Sequence, residues 1–62
     1  MKVGDLVRVV DGPPCFMGMI GLVEAYLCDR DAGSFFRVLD IEDLNEALDW
    51  YEWQLELVSE SR

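Results

Sequence analysis

The sequence predicts a mostly β domain whose longest strand bends as it would in a small barrel. Three observations lead there. Short β-branched or aromatic runs recur between Gly, Pro and Asp turn signals. The longest run, residues 18–27, must bend to serve both halves of a barrel in a chain of 62 residues. Hydrophobic residues make up 52% of the chain, which suffices for a packed core and is too apolar for disorder. A chain this short buries only about 60% of the surface its unfolded form exposes, so its stability margin is narrow.

The elements follow in order. Leu6-Val7-Arg8-Val9-Val10 lies between Gly4-Asp5 and Asp11-Gly12-Pro13-Pro14 and reads as a first strand. Val7 and Val9 share one face; Leu6, Arg8 and Val10 share the other. The two prolines cannot donate to a ladder and imply an extended loop. A long second strand covers 18–27, with Gly18 and Gly21 marking a bulge or bend. Asp29-Arg30-Asp31-Ala32-Gly33 is a turn. Its Asp-x-Asp-x-Gly spacing is that of a calcium loop's start, but the expected twelfth-position glutamate is replaced by Asp40. Ser34–Leu39 forms a third strand, with Phe36 and Val38 inward and Phe35, Arg37 and Leu39 outward.

The last third carries two patterns. Ile41, Leu44, Leu48, Tyr51 and Leu55 recur at helical steps, with Asp40 as a cap. Leu48 to Trp53 also alternates, placing Trp50 opposite Tyr51 and Trp53, and aromatics favour strands.

Charge and composition exclude several classes. Thirteen acids against five bases give a net charge of −8. Direct nucleic-acid binding depends on neutralising phosphates and is not expected. An anionic membrane surface is disfavoured likewise. Asp40 to Glu60 holds eight acids and no base, an asymmetry suited to a basic partner or to a solvated face. The longest apolar stretch, Cys15 to Leu27, is too short and too interrupted to span a membrane. Asp5 stands where a leader's apolar run would start, so a cytoplasmic protein is expected. Cys15 and Cys28 are then expected as thiols, and with no His and no Cys-x-x-Cys a zinc site is not expected.

Gly4-Asp5-x-Val7-x-Val9, then Asp11-Gly12, then Gly18-x-x-Gly21-x-Val23 resembles the KOW motif of SH3-like barrels, found in elongation factors and ribosomal proteins. The likeness covers about the first half. The close, Trp50 to Val58, is similar to the end of many short SH3-like proteins, where a last strand follows a tight turn, here Trp53-Gln54-Leu55. Short proteins of tailed phages look similar over the whole length. This resemblance implies a five-stranded SH3-like barrel over 1–58 with a polar tail at 59–62. It selects an acidic loop or short helical turn at 40–47, a strand at 48–53 and a last strand at 56–58. Basic KOW loops bind RNA or ribosomes, whereas these loops are acidic or apolar, so the likeness extends to fold and not to RNA binding.

No catalytic set is visible, and no cofactor is expected. The chain lacks His, the commonest general base. Ser34, Ser59 and Ser61 have no evident activating base. Cys15 has no cationic sequence neighbour to favour a thiolate. Glu42 and Asp43 read as a solvated pair. The candidate site is therefore a protein-binding one: Phe16 and Met17 on the proline loop, and Trp50, Tyr51 and Trp53 near the end. Phe16 has a second reading as a plug over the barrel end, and two of the three C-terminal aromatics can complete the core. The expected function is a noncatalytic interaction module for a protein partner, such as a host factor if the source is a phage. The alternative is an acidic nucleic-acid mimic that occupies a basic groove. KOW-like RNA binding is weaker, and a homodimer is compatible with either surface.

Overall fold

A computed structural model describes residues 1–43 and 45–60. Leu44 of the helical pattern, and Ser61 and Arg62 of the polar tail, lie outside the described residues. The chain is all-β. Its strands are β1 (Leu6–Val9), β2 (Ile20–Arg30), β3 (Gly33–Asp40), β4 (Ala47–Tyr51) and β5 (Leu55–Ser59). They form one antiparallel sheet in the order β4-β3-β2-β1-β5. β4 and β5 are its two edges and do not pair with each other, so the sheet is open. No α-helix occurs among the described residues, and none there is long and apolar enough to cross a membrane.

The described residues between β3 and β4, 41–43 and 45–46, form no helix. β3 runs to Asp40, and the chain returns through bends to β4 at Ala47. The alternating pattern prevails over the helical one because Leu48 and Trp50 pair with Val38 and Phe36 across the ladder. β4 stops at Tyr51, two residues before the expected end. A single 3-10 turn, Glu52–Gln54, then feeds β5. The proline segment also differs from the extended loop expected of it. Pro14–Phe16 forms a 3-10 turn, because a proline at the first helical position gives up no needed donor.

The inner face holds Val7, Val9, Val23, Phe36, Val38, Trp50 and Leu55, with Phe16, Met19 and Leu48 packed against them. Val7, Val9, Phe36 and Val38 face inward as their alternation predicts. β2 bends by slipping register at Glu24 and again at Leu27, so its inward row changes along the strand. The two glycines serve separate purposes. Gly18 precedes β2 in a left-handed conformation, φ +84°, with open space around it. Gly21 lies within β2, and an added Cβ would run into Val38 Cγ1 and come 2.8 Å from the Leu39 carbonyl oxygen. The first is a demand on backbone conformation and the second a demand on room.

Asp5 is buried at 2% exposure, and its carboxylate accepts the Lys2 N–H at 2.8 Å. The Asp29 carboxylate accepts the Ser34 hydroxyl across the β2–β3 hairpin at 2.9 Å. That contact assigns Asp29 to the hairpin framework. Among the described residues, no group of three or more Cys, Asp or Glu side chains converges as a metal site.

Candidate functional site

Strand alternation and the 3-10 turn sort four of the five candidate residues onto two sides of the sheet. Trp50 sits on β4 facing inward and is 5% exposed. Phe16 meets it edge-on, ring centroids 5.7 Å apart and planes at 73°. Gly12 lies against the far edge of the indole, where a Cβ would approach Cζ3 to 2.7 Å. Trp50 is thus a core residue, and Phe16 closes the end of the core above it as a plug. The Trp50 Nε1 donor is buried and meets no hydrogen-bond acceptor among the described residues.

Tyr51 and Trp53 lie on the outside. Their rings stack at 6.0 Å with an interplanar angle of 13°. Tyr51 also meets Phe35, its cross-strand partner on β3, at 4.9 Å. Arg30 lies over the other end of this row, its guanidinium carbon 4.3 Å from the Phe35 ring centre. The Cys28 thiol, then the Tyr51 hydroxyl, favour the charged guanidinium and raise its pKa above the ordinary arginine value. The result is a continuous outer row, Arg30–Phe35–Tyr51–Trp53. Trp53, 54% exposed, is its open end.

Gln54 holds that end in place. Its side-chain carbonyl accepts the Tyr51 N–H at 2.9 Å, and its amide donates to the Asp11 carbonyl at 3.2 Å. Its backbone carbonyl accepts the Val10 N–H at 2.8 Å. One residue therefore ties the 3-10 turn to the β1–β2 connection. Sequence reasoning missed Gln54, and it missed Phe35 and Arg30 as members of the row. Phe35 carried a readable signal, since alternation already sent it outward.

Met17 belongs to a different place. It is 49% exposed and lines a cleft of about 440 Å³ between the β1–β2 and β3–β4 connections. Phe16, Met19, Asp40, Glu42 and Glu46 also line it. The expected single patch of proline loop and aromatics is therefore divided. Phe16 and Trp50 meet in the interior, while Met17 and the Tyr51–Trp53 stack lie on separate surfaces.

Acids elsewhere are partly neutralised. Arg37 donates to Asp49 at 3.0 Å, and Asp49 holds its pKa above the ordinary value. Arg8 meets Glu56, and the N-terminal ammonium meets Glu52, each at 3.6 Å. Cys15 is exposed and Cys28 half-buried, and both are free thiols. Comparison with family models, curated proteins and solved structures finds no match to this chain.

Proposed function

We propose that the chain is a noncatalytic protein-interaction module with an SH3-like architecture, working in the cytoplasm. The strand order, the β1–β5 pairing, the long bent β2 and the 3-10 turn just before β5 support the architectural reading. The observation that carries the functional reading is the outer aromatic row. A tryptophan more than half exposed, stacked on a tyrosine and fixed by Gln54, is an anchor prepared before the partner arrives. Such rings supply contact area at little cost in conformational freedom.

One observation favours a second reading, the nucleic-acid mimic. Asp40, Glu42, Asp43 and Glu46 form no ion pair among the described residues. Against it, three of the eight acids along 40–60, namely Asp49, Glu52 and Glu56, already face cations of the chain itself.

Immobilised protein, exposed to lysate of the cells that make it, separates the two. The module reading expects a partner retained in high salt and lost with Trp53→Ala. A basic nucleic-acid-binding protein that salt releases and Trp53→Ala leaves in place would replace it with mimicry.

A further inference from the structure

The open edge of the sheet leaves a residue of the inward row uncovered. We infer that the free edge of β5 pairs with β5 of a second copy of this chain, antiparallel and about a two-fold axis at Leu57. The inference goes beyond the aromatic-row reading and uses none of its residues.

Leu55 and Leu57 oppose Val9 and Val7, which are both buried, so both leucines stand on the inward row of β5. Leu55 is 7% exposed and Leu57 is 42% exposed. Leu57 stays uncovered because β5 is an edge, with no further strand among the described residues beyond it. The main chain is open at the same place. Val10 donates its N–H to the Gln54 carbonyl at 2.8 Å, which makes residues 10 and 54 a hydrogen-bonded pair. Alternation along the ladder makes Arg8 and Glu56 the next such pair and turns the N–H and carbonyl of Leu57 away from β1. Val9 fits this phase, since it donates to Met19 and accepts from Gly18 on its other side.

The opposite edge is guarded. The Asp40 N–H to Glu46 carbonyl bond, 3.0 Å, sets the phase there and turns the main chain of Ala47, Asp49 and Tyr51 outward. Gln54 Oε1 already accepts the Tyr51 N–H at 2.9 Å, and Asp49 places a charge in mid-strand. β5 carries no Lys and no Pro, and its one acid, Glu56, faces Arg8 at 3.6 Å.

Charge selects a second copy as the occupant. Two chains of net charge −8 can meet only where charge cancels, and Arg8 cancels Glu56 at this edge. Pairing centred on Leu57 sets Glu56 against Val58 of the second copy, so the two glutamates do not stand directly opposite each other. The register slip between Leu6 and Val7 ends the regular edge near Val58, so the contact is short and the dimer weak.

Analytical ultracentrifugation of the full chain tests this. The expected result is a reversible monomer–dimer equilibrium that added salt strengthens, because salt screens the two like-charged chains. Leu57→Lys should weaken it at least about tenfold by setting two lysines opposite each other. Trp53→Ala should leave it unchanged. Amide exchange needs no variant: a higher protein concentration should protect the Leu57 amide and leave Ala47 and Asp49 as they were. Cross-linking tests the register. With Cys15→Ser and Cys28→Ser in place, Leu57→Cys should oxidise to a covalent dimer, because the Cα atoms of a hydrogen-bonded pair lie about 5.5 Å apart, within disulfide reach. Glu56→Cys, set opposite Val58, should cross-link far less. A monomer at every concentration, a dimer that Leu57→Lys leaves intact, or equal cross-linking at both positions would overturn the inference. Loss of the dimer with Trp53→Ala would overturn it too and place the interface on the aromatic row.

Discussion

Trp50 and Trp53 are near neighbours in sequence and have opposite environments. Trp50 is sealed between Phe16 and Gly12 on the inner face, whereas Trp53 leans on Tyr51 outside. Side-chain chemistry does not distinguish them; backbone position does. Alternation along β4 turns Trp50 inward and Tyr51 outward. The 3-10 turn then sets Trp53 beside Tyr51 and leaves it uncovered. The same residue type serves stability in one place and recognition in the other.

The largest expected effect breaks the inner half of this comparison. Trp50→Ala should cost about 3–5 kcal/mol. A domain of this length has a total of roughly 3–9 kcal/mol, so the variant should lose most or all of its cooperative unfolding transition. Trp50→Phe is a finer probe. It shrinks the ring but keeps an aromatic side chain on the inner face. It should therefore fall well short of the alanine loss. Trp53→Ala should stay within about 1 kcal/mol of the parent in the same urea titration. An equal loss at both positions would show that the outer row is structural and would remove its claim to be a binding surface.

A second contrast, smaller in effect, separates the two glycines before the bend. Gly21→Ala should cost about 1–3 kcal/mol, since the new methyl meets Val38 and an immovable carbonyl. Gly18→Ala meets nothing and bears only the left-handed backbone, about 1–2 kcal/mol. Adding Val38→Ala to each variant tests the assignment. Because their effects share a contact, Gly21→Ala and Val38→Ala should combine non-additively, whereas Gly18→Ala and Val38→Ala should add. Additivity in both pairs would place the bend's requirement elsewhere.

These two contrasts also mark how much was legible beforehand. The inward valines, Phe36 and the division of Trp50 from Tyr51 follow from period two alone, and the ladder keeps them. β1 and β3 lie within a residue of their expected ends because turn residues bracket them. β2 was harder. Its register slips fall at Glu24 and Leu27, where no glycine or proline signals them, so the expected bend at Gly18 and Gly21 was only part of the cause. At the site, Trp53 and Met17 were readable as exposed apolar residues. Their separation onto two surfaces was not, because it depends on how far the sheet curls between β4 and the β1–β2 connection. Gln54 was illegible for a related reason. Its partners Asp11 and Val10 are remote in sequence, and a glutamine in a turn carries no pattern of its own.

The smallest expected effect probes a tyrosine at the rim between inner and outer faces. Tyr26 meets Phe36 edge-on at 5.6 Å, yet about half of it is exposed. A hydrogen bond to the Asp29 side chain, then burial, then the Asp29 charge raise its pKa above the ordinary 10.0. Each of these favours the neutral phenol in the folded chain. A group whose pKa rises on folding contributes stability that is complete below its unfolded pKa and is lost as pH climbs through the folded value. The window therefore lies above pH 10.0, and neutral pH leaves the contribution intact. An ultraviolet titration at alkaline pH should show a phenol ionising above the ordinary value, and Tyr26→Phe should remove that late step. Asp29→Asn should bring that step back toward the ordinary value, because it weakens the hydrogen bond and deletes the charge. A late step that survives Tyr26→Phe would overturn the assignment to Tyr26.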